Sequence, residues 1–252
     1  MKQWFLCLLL VTGLSSSVRA QTLRVAVAAN AQFVMKVLLA DFKKKTGIES
    51  EIIAGSSGKL TAQIKNGAPY DLFLSADMDF PAALYKEGFA LTPPKVYALG
   101  SLIVCSTSGL DVKNWQTLLR HNSVKKIAIA NPALAPYGKA AEETFRYYNL
   151  WNQVKGKLVL GESISQVNTY LTTGVVSIGF TTEALVHESP SVQKLQWARI
   201  DPNVYKPIQQ GMVILSYAKQ GNYGNAVKFF NYLSSPAAKQ LLKKNGYQIP
   251  GR

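Results

Sequence analysis

The sequence predicts an α/β protein with two lobes, in which mostly parallel sheets are flanked by helices and two crossing strands form a hinge. Short apolar runs alternate with segments of helical periodicity, which is typical of βαβ units and parallel sheets. The alternation ends near residue 87 and begins again near residue 98, so it forms two series. A single doubly wound domain is the competing architecture, because periodicity alone does not separate the two.

The first series predicts three strands and three helices. Each strand is an apolar run that ends in small residues, and the three runs cover residues 23–29, 49–54 and 70–76. Helical patterns follow them near residues 31–45, 58–66 and 79–87. We therefore expect three consecutive strand–helix units in the first lobe.

A strand over residues 98–107 is predicted to lead into the second series. Further apolar runs predict strands over residues 125–132, 157–163, 175–185 and 211–218. Helical patterns lie near residues 114–120, 138–149 and 165–173, and Ser235-Pro236 is expected to divide a last amphipathic stretch into two helices. We expect crossings near residues 98–105 and 208–215, so that lobe I holds residues 21–101 and 212–252 and lobe II holds residues 102–211.

Residues 1–20 have the three-part form of a secretory signal peptide. Lys2 precedes an apolar run over residues 4–13, and Val18 and Ala20 are the small residues of a cleavage site after Ala20. The apolar run is too short to cross a bilayer as an anchor, although an uncleaved N-terminal anchor is the alternative. We expect an exported protein, periplasmic in a Gram-negative cell, with no membrane insertion after the signal is removed.

Composition indicates a globular protein with a strongly basic charge. The chain is 48% hydrophobic and 17% charged, with a formal net charge of +14 that falls to +12 when Lys2 and Arg19 leave with the signal. The lysines are dispersed beside predicted helix ends and turns, and no basic stripe is interleaved with aromatic residues. The charge therefore favours a general attraction of anions over a nucleic-acid partner.

Few residues suit covalent or metal chemistry. Cys7 leaves with the signal and Cys105 lies in an apolar run, so we expect a buried free thiol and no disulfide. His121 and His187 have no ligand spacing, and no G-x-S-x-G nucleophile motif is present. The sequence therefore predicts neither a metal site nor an enzyme, with an exported α/β enzyme as the alternative.

Four strand-to-helix junctions share small and hydroxyl-bearing residues. They are Ala29-Asn30, Ser56-Ser57-Gly58, the segment 135–138 and the segment 162–165. Free N–H groups and the positive end of the dipole at a helix start favour an anion, although Asn and Ser are also good helix caps. Their occurrence in both predicted lobes indicates an anion site between them.

Three segments resemble the periplasmic molybdate-binding proteins of bacterial ABC transporters. The segments are "VAVAANAQF", "AGSSGKLTAQIKNGAPYDLFLSAD" and "NPALAPYGKAAEETF". This resemblance implies a two-lobed class II periplasmic binding protein fold. We also expect a monomer without a cofactor. The resemblance also implies that the protein captures molybdate, or the near-isostere tungstate, and delivers it to a membrane permease.

The same resemblance assigns the oxyanion contacts. They fall on Asn30 or the adjoining Ala29 backbone, on Ser57, and on the backbone N–H groups of Tyr137 and Ile164. Some members use a further tyrosine hydroxyl, and the matching position here is Phe180. Molybdenum would then enter only inside the oxyanion, with no direct protein ligand.

The chemistry of such an anion agrees with these residue types. A fully ionised tetrahedral oxyanion accepts hydrogen bonds and donates none, so its site should offer donors and exclude carboxylates. Asn30 can turn its NH2 group inward and Ser57 its hydroxyl, while Lys59 is a candidate counter-ion. Glu162 is the one acid near these junctions. It is either an acceptor for a protonated ligand or a solvated carboxylate. Another oxyanion, such as sulfate or phosphate, is the alternative ligand.

Overall fold

Two five-stranded sheets organise the part of the chain that the computed structural model describes, residues 22–188 and 195–251. The predicted signal peptide lies outside these residues. Ten strands occur within them: β1 Leu23–Ala28, β2 Ser50–Gly55, β3 Leu72–Leu74, β4 Lys95–Gly100, β5 Leu102–Ser106, β6 Ile127–Ala130, β7 Leu158–Gly161, β8 Ile178–Thr182, β9 Gln196–Arg199 and β10 Ile208–Ile214.

Helices cover both sheets. Those in the described residues are α1 Gln32–Thr46, α2 Ser57–Lys65, α3 Asp79–Lys86, α4 Trp115–Arg120, α5 Pro136–Tyr147, α6 Trp151–Val154, α7 Ile164–Thr172, α8 Leu185–Glu188, α9 Tyr223–Tyr232 and α10 Pro236–Lys244. In this part of the chain no helix is both long and apolar enough to cross a membrane.

Each sheet forms the centre of one lobe. The first sheet has the order β2-β1-β3-β10-β4 and the second the order β7-β6-β8-β5-β9. Separate apolar cores lie against the two sheets, one around Phe42 and Phe229 in the first lobe and one around Phe145 and Phe180 in the second. The two-lobed α/β architecture is therefore confirmed, and a single doubly wound sheet is excluded.

Both sheets are mixed, and in each of them four of the five strands run in the same direction, as the prediction of mostly parallel sheets requires. In the first sheet β2, β1 and β3 are parallel, whereas β10 is antiparallel to both β3 and β4. The second sheet repeats this arrangement, with β5 antiparallel to β8 and β9. The antiparallel strands include those that pass between the lobes, where no crossover helix returns the chain to a parallel direction.

The first crossing divides the single strand that we predicted over residues 98–107. Strand β4 ends at Gly100 and β5 begins at Leu102, in the other sheet. At Ser101 the main-chain carbonyl accepts the N–H of Glu183 at 3.0 Å, and Oγ accepts the side-chain amide of Gln248 at 3.4 Å. Hydrogen bonds from both lobes therefore replace the sheet ladder at this residue.

The second crossing comes earlier in the chain than our boundary between residues 211 and 212. Strand β10 begins at Ile208, which pairs with Gly100 in the first sheet. The sequence also missed β9, whose four residues Gln196–Arg199 include no apolar run. In contrast, the break in the C-terminal helical stretch is confirmed, since Pro236 begins α10 and Ser235 caps it by accepting the N–H of Ala238 at 3.2 Å.

Candidate functional site

A small cavity lies between the lobes, where four strand-to-helix junctions meet. The cavity has a volume of about 10 Å³. None of the described residues that line the cavity has a charged side chain; they are Ala28, Ala29, Asn30, Ser56, Ser57, Ala76, Ala135, Pro136, Tyr137 and Ile164. Five residues selected from the sequence, Ala29, Asn30, Ser57, Tyr137 and Ile164, are thus brought together.

Three helices begin at this cavity. Ser57 is the first residue of α2 and Ile164 the first of α7, while in α5 Tyr137 follows Pro136 at the helix start. The first N–H groups of a helix have no acceptor within it, and the dipole makes this end positive. The cavity is therefore an environment that favours negative charge, although its lining within the described residues has no cationic side chain.

Ser57 has a hydroxyl that is arranged to donate. Its Oγ accepts the main-chain N–H of Ala76 at 3.0 Å, and the residue is 1% exposed. Because an accepted hydrogen bond uses only a lone pair, the hydroxyl proton is free to point elsewhere. Ser56 serves a different purpose, since its side chain caps α2 by accepting the N–H of Lys59 at 3.4 Å.

Asn30 differs from our expectation of an inward-turned NH2 group. Its Nδ2 donates to Gln210 Oε1 at 2.9 Å and to Tyr247 Oη at 3.1 Å. Tyr247 in turn donates its hydroxyl proton to the main-chain carbonyl of Asn30 at 2.7 Å. Both amide protons are thus used inside the first lobe, and the main chain of Asn30 lies in the short 3₁₀ turn that precedes α1, beside the cavity.

Tyr137 places its main chain and its phenol in different surroundings. The main-chain N–H lies at the start of α5, beside the cavity. The phenol oxygen is buried, accepts a hydrogen bond from Thr182 Oγ1 at 3.1 Å, and lies against the first crossing at Gly100. Burial raises the pKa of this phenol, so the hydroxyl stays protonated near neutral pH.

Lys59 lies outside the cavity lining and pairs with Glu162. Their side chains approach to 2.9 Å, and each is about half exposed. The pair joins α2 in the first lobe to the segment before α7 in the second. A main-chain hydrogen bond crosses the lobes nearby, from the N–H of Gly58 to the carbonyl of Leu134 at 2.9 Å.

Phe180 is a correction to the set of candidate residues. It is fully buried on β8 and packs edge-on against Phe145 and Trp115, with ring centroids 4.7 and 5.3 Å away. It is not among the residues that line the cavity. An aromatic residue on a strand buried on both faces is part of the core, which the local sequence does not reveal.

Sequence reasoning missed the residues behind the cavity. Gln210 and Tyr247 are fixed to Asn30, yet they lie 180 and 217 residues away along the chain. No local motif signals such a contact. The described residues contain no group of three or more His, Cys, Asp or Glu side chains that could hold a metal ion.

Comparison with known proteins gives consistent matches over nearly the whole chain. Residues 23–248 match the family model of bacterial extracellular solute-binding proteins. The molybdate-binding proteins ModA of Azotobacter vinelandii and Rhodobacter capsulatus are each 34% identical to this chain, over 94% and 95% of it and 93% of each relative.

Solved structures give the same fold. The periplasmic molybdate-binding protein of Azotobacter vinelandii superposes with a TM-score of 0.83 and 33% identity, over 91% of this chain and 100% of that one. The sulfate-binding protein SubI of Mycobacterium tuberculosis has a TM-score of 0.74 at 16% identity, over 90% of this chain and 86% of that one. The second likeness concerns the fold alone.

Proposed function

This chain belongs to the family of bacterial extracellular solute-binding proteins, and we propose that within it the protein is the molybdate-binding periplasmic component of an ABC transporter. It captures the anion outside the cytoplasmic membrane and hands it to a permease. Its role is binding and delivery, without covalent chemistry. Relatives of similar length that are named for molybdate support this proposal.

One observation carries the choice of an oxyanion. The cavity is built from the starts of helices in both lobes, and its described lining contains donors but no carboxylate. A tetrahedral anion without protons needs donors on every side, and a carboxylate would repel it. The donors that we assign are the Ser57 hydroxyl and the main-chain N–H groups of Asn30 or Ala29, Tyr137 and Ile164.

The same lining argues against phosphate. Near neutral pH phosphate keeps a proton and would need an acceptor inside the site. Glu162, the acid in the fourth junction, is paired with Lys59 and is about half exposed outside the lining. Tungstate has the same charge and shape as molybdate, so we expect it to bind as well.

Thermal unfolding with a panel of anions tests this proposal. A ligand that binds only the folded state stabilises it by RT ln(1 + [L]/Kd), about 2.7 kcal/mol at 100 times Kd. At matched ionic strength we expect large shifts in Tm with molybdate and tungstate, and small shifts with sulfate and phosphate. Equal shifts with sulfate would contradict the assignment, and calorimetric titration would then identify the preferred anion.

A further inference from the structure

Gln210 is a buried amide directly behind the cavity, and it does not line the cavity itself. It lies on β10, the strand on which the chain returns to the first lobe, and its side chain is fully buried. The pairing of β10 with β4 shifts register between Gln210 and Gly211. Such a bulge turns a side chain out of the regular alternation of the strand, and bulges are frequent beside binding sites.

One end of this amide holds Asn30. Gln210 Oε1 accepts a proton of Asn30 Nδ2 at 2.9 Å. Tyr247 has a single hydroxyl proton and gives it to the carbonyl of Asn30, so its lone pair must receive the other Nδ2 proton. These three hydrogen bonds place the NH2 group of Asn30 toward Gln210. They also hold Asn30 in position, and its main chain borders the cavity.

The other end of the amide faces the second lobe. Gln210 Nε2 is buried and has no hydrogen-bond partner within the residues that the structure describes. A Cβ atom placed on Gly100 would lie 3.0 Å from Nε2 and 2.0 Å from Tyr137 Oη, so both polar atoms border the same point. Tyr137 Oη accepts one hydrogen bond from Thr182, and a phenol oxygen can accept a second.

We propose that Gln210 is a positioning residue of the oxyanion site, which holds Asn30 in one lobe and receives the phenol of Tyr137 from the other. The inference rests on the proposed function. A buried donor without a partner is unfavourable, so an approach of Tyr137 Oη to Nε2 would favour the arrangement in which the lobes meet. Gln210 thereby sets the donors of the two lobes at a fixed separation without touching the anion.

The variant Gln210→Met tests this role, because methionine has nearly the same length and no polar amide. We expect molybdate affinity to fall about tenfold, which corresponds to one buried hydrogen bond of ordinary strength. We also expect the ratio of molybdate to sulfate affinity to shrink, since loosely held donors discriminate less well. Gln209→Met is the matched control, because Gln209 is the exposed neighbour on the same strand and should bind as the unchanged protein does.

A second measurement does not depend on molybdate. In the ligand-free protein, NMR can follow exchange of the Asn30 side-chain amide protons with water, and we expect faster exchange in Gln210→Met than in Gln209→Met. If the unchanged protein binds no molybdate, the proposed function is wrong, and the exchange rates still decide whether Gln210 holds Asn30. Equal exchange rates in the two variants, or equal affinity and selectivity, would overturn the inference.

The variant Tyr137→Phe covers the case in which Gln210→Met does not fold. It removes only the phenol oxygen and keeps the main-chain N–H of residue 137. We expect molybdate to bind several-fold more weakly and to dissociate faster. Binding identical to that of the unchanged protein would overturn the link between Gln210 and the second lobe.

Discussion

Among single residues, Ser57 has the most direct role in the proposed site. Its Oγ accepts the N–H of Ala76, and we propose that its proton is donated to the anion. A hydrogen bond to a charged partner is worth about 1.5–3 kcal/mol, so Ser57→Ala should weaken molybdate binding by about tenfold to a hundredfold. The variant should also lower Tm, because the buried N–H of Ala76 loses its acceptor. Calorimetric titration and thermal unfolding measure the two effects separately.

Ser235→Ala is a suitable control for this variant. Ser235 also lies at the start of a helix of the first lobe, where it caps α10. Loss of such a cap lowers the free energy of unfolding by about 1 kcal/mol, with no effect on the cavity. Normal molybdate affinity in Ser57→Ala would show that a different donor faces the anion.

Between elements, the start of α2 contacts the second lobe through the ion pair of Lys59 and Glu162. Exposed ion pairs contribute at most about 1 kcal/mol, so Lys59→Gln should reduce molybdate affinity less than about fivefold. Glu162→Gln should reduce it equally, and high salt should remove both effects. The charge-reversed pair Lys59→Glu with Glu162→Lys should restore binding. A loss beyond tenfold in Lys59→Gln alone would instead indicate direct contact with the anion.

The approach of α5 to the second sheet depends on Gly138. A Cβ atom at this position would lie 2.0 Å from the main-chain carbonyl oxygen of Ala130, at the end of β6. Backbone cannot move aside as a flexible side chain can, so Gly138→Ala should lower the free energy of unfolding by more than about 3 kcal/mol. Because Tyr137 precedes this glycine, molybdate binding should weaken too. Chemical denaturation and titration measure the two losses.

Gly224→Ala provides the comparison for Gly138→Ala. Gly224 also lies in the first turn of a helix, α9, and a Cβ atom added there would meet no atom of another described segment within 4 Å. Alanine is the better helix former, so this change should be neutral or stabilising by up to about 1 kcal/mol. Similar losses in both variants would contradict the importance of the close approach at Gly138.

For the whole molecule, we expect the anion to hold the two lobes together, because its donors are divided between them. The phenol of Tyr137 must then fit against Gly100 at the first crossing. A Cβ atom added to Gly100 would lie 2.0 Å from Tyr137 Oη. Gly100→Ala should therefore weaken molybdate binding by more than about tenfold and leave a larger radius of gyration in small-angle scattering with molybdate present. Tyr137→Phe removes the colliding oxygen, so Gly100→Ala should have a smaller effect in that background. Additive effects of the two changes would contradict this coupling.

The sequence by itself determined the order of most strands and helices and the junctions that form the cavity. Apolar periodicity identifies most elements, because burial of a strand or helix face requires it. The junctions around Ser57, Tyr137 and Ile164 were identifiable since small and hydroxyl residues at helix starts are a local feature, and the family resemblance selected among them. The residue-by-residue roles in binding stay predictions.

Only the tertiary structure decided how the strands pair and where the side chains of these residues point. Strands β5 and β10 run antiparallel to their neighbours because the chain changes lobe there, which periodicity does not record. Phe180 belongs to the core and Asn30 turns its amide toward Gln210 and Tyr247. Asn30 is separated from Gln210 by 180 positions and from Tyr247 by 217. Their hydrogen bonds form only when the sheets assemble, so their physical cause is the packing of distant segments and not any one stretch of the sequence.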